Sequence, residues 1–124
     1  IVGRTVAVLG AAFKPDSDDV RDSPALSVAA QMQLQGAHVT VTDPQAIENA
    51  RAKWPDLRFA ADPLEAAAEA DVVLLATEWP EYRDLDPDEL GAVVAHKRIL
   101  DGRNVLDPVR WRAAGWTYRA LGRP

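Results

Sequence analysis

The chain contains no cysteine. That absence excludes disulfides, thiolate catalysis and cysteine-built zinc sites together. Its two histidines, His38 and His96, stand far apart in sequence and argue against an imidazole metal site. No apolar run approaches the ~18 residues that a membrane span requires, and no signal or transit peptide pattern opens the chain. The expectation is a cytoplasmic protein with no membrane partner. Positive charge is also in deficit: 14 Lys and Arg face 19 Asp and Glu, a net charge of −5. An acidic balance argues against nonspecific binding to nucleic acid or anionic lipid. If an anion is bound, it must be met by individually placed cations.

What is present is a globular composition. The chain has 124 residues, 48% hydrophobic and 27% charged, enough for a real core and consistent with one domain over residues 1–124. It opens Ile1-Val2-Gly3-Arg4-Thr5 and reads as strand from Thr5 onward, as a domain cut from a longer polypeptide would, although N-terminal processing would look the same.

Strand-like and helix-like stretches alternate. Six apolar runs read as strands: Thr5–Leu9, His38–Thr42, Leu57–Ala60, Val72–Ala76, Arg98–Leu100 and Thr117–Leu121. The runs VAVLG and DVVLLAT are nearly continuous Val, Leu and Ala, as in parallel strands buried on both faces. Helix starts are marked by Ser23-Pro24, Asp43-Pro44, Asp62-Pro63, Asp86-Pro87 and Asp107-Pro108. In each pair a cap oxygen can take an orphan backbone N–H, and proline has none to lose at the first helical position. Gly36 and Gly115 fall where helices should end. Leu26, Ala29, Ala30 and Leu34 supply the inward face of the first helix. The alternation predicts a doubly wound, Rossmann-like α/β fold: a six-stranded, mostly parallel sheet in the order 3-2-1-4-5-6, helices on both faces, three layers.

In such a sheet ligands bind beyond the carboxyl ends of the strands, where strand order reverses. Three segments end there. The first, Gly10 to Pro24, is no dinucleotide fingerprint. Ala12 stands where the second glycine of G-x-G-x-x-G belongs, and its Cβ obstructs close approach of a pyrophosphate; Pro15 replaces the third. The loop before the first helix is also about 13 residues long, against a usual ~2–6. It carries Lys14 and Arg21 among Asp16, Asp18, Asp19 and Asp22. Either Arg21 neutralises local acids, or Lys14 and Arg21 are aimed at phosphate; the position at the first strand's end favours the second. In the second segment, Thr77 to Tyr82, the rings of Trp79 and Tyr82 suit stacking on a base, and suit covering the end of the sheet equally well. The third is Asp101-Gly102-Arg103-Asn104. Arg103 presents a planar fork for phosphate or carboxylate, with a structural ion pair to Asp101 or Asp107 as its alternative. Asp43 stands where dinucleotide folds hold the ribose-binding acid, but the following Pro44 makes a helix cap the stronger reading. His38 and His96 read as surface residues.

With these residues in view, VAVLGAAFKPDSDDVRDSPAL, TDP at 42–44, DVVLLATEWPEY at 71–82 and ILDGRNVLDP at 99–108 resemble the C-terminal, UDP-binding domain of the UDP-glucose/GDP-mannose dehydrogenase family. The likeness covers essentially the whole chain, in order and spacing, and TEWPEY is most similar to the members that oxidise UDP-glucose. The resemblance implies an NAD-dependent oxidation of a sugar alcohol to a carboxylate in two steps, serving nucleotide-sugar metabolism and polysaccharide synthesis. It also implies a separate N-terminal domain carrying NAD and the catalytic cysteine, and a homodimer. By resemblance, Phe13 and Lys14 contact the nucleotide sugar in F-K-x-x-[TS]-x-D-x-R. Arg21 of the same motif reaches NAD on the other domain, and Arg103 of D-G-R contacts the nucleotide sugar. Ala11 stands where a larger apolar residue is common, and Ser17 replaces a common Thr but keeps the hydroxyl. No catalytic residue is expected within the chain, so by itself it should be inactive. A related enzyme acting on GDP-mannose or a UDP-N-acetylhexosamine, and a stand-alone nucleotide-binding module, remain alternatives.

Overall fold

The computed structural model describes residues 3–12 and 23–120. Six strands alternate with six helices: β1 Thr5–Leu9, α1 Pro24–Leu34, β2 His38–Thr42, α2 Ile47–Lys53, β3 Arg58–Phe59, α3 Pro63–Ala67, β4 Val72–Leu75, α4 Pro80–Arg83, α5 Pro87–Val93, β5 Arg98–Asp101, α6 Pro108–Ala113 and β6 Thr117–Ala120. The strands form one sheet in the order β3-β2-β1-β4-β5-β6. Every pairing is parallel, with Val6 opposite Val39 and Val72, and Val73 opposite Ile99. The doubly wound α/β architecture and its strand order are as the alternation predicted.

The first strand is apolar on both faces because both are covered, and its neighbours β2 and β4 bury alternate apolar residues beside it. Ala7, Val8, Leu9, Val41, Val73 and Leu75 have no exposed surface. Right-handed crossovers put the helices joining β1, β2 and β3 on one face and those joining β4, β5 and β6 on the other. At the far end, Trp111 of α6 and Trp116 meet edge to face with ring centroids 5.0 Å apart, and the Trp116 indole donates to Pro87 O at 2.9 Å.

Four of the five proline-marked starts are real. Ser23 Oγ, Asp62, Asp86 and Asp107 each accept a backbone N–H of the first turn of α1, α3, α5 and α6. The fifth is corrected: α2 begins at Ile47, capped at Ala46 without a side-chain bond. Asp43 Oδ1 instead accepts the N–H groups of Gln45 (2.9 Å) and Ala46 (2.8 Å), closing a turn ahead of the helix. Gly36 and Gly115 adopt φ of +98° and +92° after α1 and α6, the left-handed conformation that ends a helix without steric penalty. The third strand shortens from Leu57–Ala60 to Arg58–Phe59, because only Thr40 and Val41 pair with it at the sheet edge.

Candidate functional site

Strand order reverses between β1 and β4, and the segments leaving β1, β2, β4 and β5 meet at that carboxyl edge. Two buried aspartates organise them. Asp43, at the end of β2, is 2% exposed. Besides the two turn donors, its Oδ2 accepts Ala11 N at 2.8 Å, Ala12 N at 3.0 Å and Trp79 Nε1 at 3.0 Å. Five N–H groups from three segments therefore converge on one carboxylate. Thr77 Oγ1 donates to Ala12 O at 2.9 Å, and Ser23 Oγ donates to Ala11 O at 2.7 Å. Both peptides beyond Gly10 are thus held on their N–H side and their carbonyl side. Gly10 itself has φ +113°, and a Cβ there would lie 2.7 Å from Thr77 N, so the β1 turn and the β4 segment pack backbone to backbone.

Asp101, at the end of β5, has no exposed surface. Its Oδ1 accepts Arg103 N at 3.0 Å; its Oδ2 accepts Val105 N and Leu106 N, each at 2.8 Å, and Tyr118 Oη at 2.7 Å. The carboxylate winds residues 102–106 around itself, with Asn104 at φ +58°. Because Asp101 takes the backbone of Arg103, the guanidinium is left to project outward.

Arg103 meets neither acid considered from sequence. Asp101 accepts its backbone N–H, and Asp107 caps α6 through Val109 N and Arg110 N. The guanidinium instead lies 3.6 Å from Glu78 Oε1, with the two side chains 38% and 40% exposed. A solvated pair at that distance contributes little, ~0–1 kcal/mol. Arg103 is consequently a cation at the switch point that an anion can take over from Glu78.

The rings of Trp79 and Tyr82 are not stacking platforms. Each is 1% exposed; Trp79 is bonded to Asp43, and Tyr82 Oη donates to Thr42 O at 3.2 Å. Burial raises the Tyr82 phenol well above its ordinary range, and the charges of Asp43 and Glu81 push it further in the same direction. It therefore remains a neutral donor that ties α4 to the end of β2. Covering the sheet end is the role the structure gives both rings. His38 is exposed, and His96 sits at the opposite, amino edge with Nδ1 3.0 Å from Asp71 Oδ1.

Phe13, Lys14 and Arg21 lie outside the described residues. The root of their segment, Ala11 and Ala12, lies in the same cluster as Asp43, Thr77 and Trp79. Sequence reasoning missed Glu78 as the Arg103 partner and Asp101 as the organiser of its loop. An Asp-Gly pair at a strand end is the signal that could have shown the second, since Asp side chains close turns onto backbone N–H groups two residues on. The described residues do not fit a dinucleotide here. Ala12 is fixed where the backbone would have to approach a pyrophosphate, and both oxygens of the ribose-position acid, Asp43, are committed internally. Among the described residues no group of three or more His, Asp or Glu is placed to hold a metal ion, and no helix is long and apolar enough to cross a membrane.

Fold and site together define a dinucleotide-type α/β domain that carries Arg103 at its switch point and whose described residues do not fit a dinucleotide. More particularly, the chain belongs to the UDP-glucose/GDP-mannose dehydrogenase family, whose UDP binding domain matches residues 7–108. It is 45% identical over its whole length to a UDP-glucose 6-dehydrogenase of Rhizobium meliloti, of which it covers 28%. Among solved structures, a UDP-glucose dehydrogenase from Pyrobaculum islandicum matches 96% of the chain at 38% identity and TM-score 0.78, with 25% of that protein covered. An NDP-N-acetyl-D-galactosaminuronic acid dehydrogenase from Methanosarcina mazei matches 98% at 31% identity and TM-score 0.86, again with 25% covered. The chain thus spans little more than a quarter of the relatives it matches.

Proposed function

We propose that this chain is, over residues 1–124, the UDP-binding domain of an enzyme that oxidises UDP-glucose to UDP-glucuronate with two NAD, a cytoplasmic homodimer. The observation that carries the reading is Arg103. Its backbone is fixed by buried Asp101, its guanidinium projects at the β1/β4 switch point, and among the described residues its side chain pairs with a half-exposed carboxylate at 3.6 Å. A guanidinium fork matches the paired oxygens of a diphosphate. Phe13 and Lys14 follow directly on the peptides fixed by Asp43 and Thr77, and take the same substrate. Arg21 reaches NAD held by the N-terminal domain, which supplies hydride acceptance when the cofactor is bound there. This chain's own part is to grip and orient the nucleotide end of the substrate.

Titration of the chain with UDP, GDP and glucose, followed by NMR shifts, tests the reading. UDP should bind weakly and more tightly than the other two, since part of the pocket belongs to other polypeptide. No response to UDP refutes the reading. An equal response to GDP favours another nucleotide-sugar dehydrogenase, a second reading supported by the fit to the Methanosarcina mazei protein. Mixed with UDP-glucose and NAD, the chain alone should produce no NADH, because it holds no nucleophile suited to a covalent step.

A further inference from the structure

Each of the two buried aspartates at the carboxyl edge takes one donor from an aromatic side chain on another segment: Asp43 from the Trp79 indole, Asp101 from the Tyr118 hydroxyl. Tyr118 lies on β6, the edge strand, and is 4% exposed. The register sets it opposite Ile99 and sets Ala120 opposite Asp101, so Tyr118 and Asp101 are diagonal neighbours on one face of the sheet. A diagonal pair is beyond the reach of short side chains and within that of an aromatic one. The phenol spans the gap and brings Oη to 2.7 Å from Asp101 Oδ2, against 3.5 Å from Leu106 O. Its single hydrogen therefore goes to the carboxylate.

That bond fixes which way Asp101 faces. The N–H groups of Arg103, Val105 and Leu106 also bond it, but they belong to the loop that the carboxylate closes and move with that loop. Tyr118 brings its donor from the sheet. Arg112 steadies the tyrosine from the outer side: its guanidinium carbon lies 5.7 Å from the ring centroid, and it donates to Tyr118 O at 3.3 Å. Without the hydroxyl, Asp101 is an aspartate two residues from an arginine, and such a carboxylate competes for the guanidinium fork. A bidentate pair with Asp101 is a stronger rival to an incoming anion than the solvated contact with Glu78 at 3.6 Å. The inward orientation of Asp101 is thus a condition for Arg103 to be on offer.

We propose that Tyr118 is a positioning residue for anion binding at the switch point. Its hydroxyl holds the Asp101 carboxylate toward the backbone of residues 103–106, and so keeps the Arg103 guanidinium clear of it and aimed outward. This role rests on Arg103 being the cation that meets the diphosphate. It places part of the control of that contact on a buried side chain of the edge strand.

Tyr118→Phe removes one oxygen and leaves the ring in place; it is made in the parent chain and in Arg103→Ala. Without ligand, amide exchange followed by NMR should become roughly fivefold or more faster at Arg103, with the Val8 amide of β1 unchanged. Titrated with UDP and followed by NMR shifts, Tyr118→Phe should weaken binding roughly threefold to tenfold in the parent. Where Arg103 is already alanine the loss should be less than about twofold. A hydroxyl that served only the fold would cost the same in both backgrounds, so an equal loss in both overturns the proposal. So does an Arg103 exchange rate or a UDP affinity that stays at the parent value. If the parent itself fails to bind UDP, the proposed function falls, and the ligand-free exchange still decides whether Tyr118 orders Arg103. Should Tyr118→Phe fail to fold, Arg112→Met, at an exposed position, replaces it in both measurements and should move them in the same direction; no change there overturns the proposal.

Discussion

Replacing Asp43 by Asn exchanges one carboxylate oxygen for an NH2 group and should be among the most damaging conservative substitutions in this domain. Oδ1 accepts two turn N–H groups at 2.9 and 2.8 Å, and Oδ2 accepts three more from Ala11, Ala12 and Trp79 at 2.8–3.0 Å. An asparagine keeps one acceptor oxygen. Whichever way its amide turns, an NH2 group then faces donors: three on the Oδ2 side or two on the Oδ1 side. Turning the oxygen toward the three is the lesser loss, and two backbone N–H groups still lose their acceptor. One of these, Ala46 N, is fully buried and the other, Gln45 N, is half-buried. A buried donor left unsatisfied costs about 1–3 kcal/mol, and the three remaining bonds fall from charged to neutral. A loss of about 2–4 kcal/mol follows, a large part of the ~5–15 kcal/mol that stabilises a domain. Asp43→Ala should be worse. Trp79→Phe removes one donor, leaves Oδ2 with two, and should cost about 1–2 kcal/mol. Urea unfolding of the three variants, with slopes checked against the parent, gives the ranking Ala, Asn, Phe from worst to least. An Asn variant within 0.5 kcal/mol of the parent (roughly the scatter of neutral surface changes) would refute the claim that this carboxylate holds the site together.

Three further outcomes are expected. Arg103→Ala should stay folded and lose roughly tenfold to a hundredfold in UDP affinity, the ~1.5–3 kcal/mol of a charge-assisted fork; Arg103→Lys should recover little, and Arg21→Ala should bind UDP like the parent. The reverse pattern in calorimetry would invert the roles given to the two arginines. Glu78→Gln should leave UDP binding equal or tighter, because it removes the carboxylate that competes for Arg103 at 3.6 Å; a fall in affinity would show that Glu78 positions the guanidinium. Asp71 is held below its ordinary 3.8, first by the Thr5 N–H and then by His96. Its stabilising contribution is therefore present above that pH and lost as pH falls through the lowered folded value. Chemical unfolding of Asp71→Asn should show a deficit at neutral pH that narrows in strong acid, and a deficit constant with pH would contradict the assignment.

Much of the fold was legible because its signals are local. A proline after a cap residue fixes a helix start with only neighbouring atoms, and four of five such pairs behaved so. The continuous Val and Leu runs announced parallel strands at the centre of the sheet: β1 is buried on both faces, and β4 buries Val73 and Leu75 on one face with Val72 and Leu74 half-buried on the other. Asp43-Pro44 departed from its pattern for a nonlocal reason. Its carboxylate is shared with Ala11, Ala12 and Trp79, which lie 31, 32 and 36 positions away, and the turn it closes delays α2 to Ile47. For Trp79 and Tyr82, sequence permitted stacking or packing equally. Only the approach of β2 to the β4 segment gave the indole and phenol buried acceptors and withdrew both rings from solvent.

By itself the sequence determined the order of elements, the family, the absence of a dinucleotide fingerprint and the candidate cation Arg103, since each follows from residue types at fixed short spacings. Tertiary structure alone decided which acid faces that cation. The chain offers Asp101, Glu78 and Asp107 to Arg103. Asp101 is nearest in sequence, yet it is turned inward to collect four donors from its own loop and Tyr118. Glu78 is distant in sequence, and it faces Arg103 because β4 and β5 are hydrogen-bonded neighbours with Leu75 opposite Asp101. Strand pairing is a long-range choice made by the whole sheet, and it is what turns three equivalent carboxylates into one buried anchor, one helix cap and one displaceable partner.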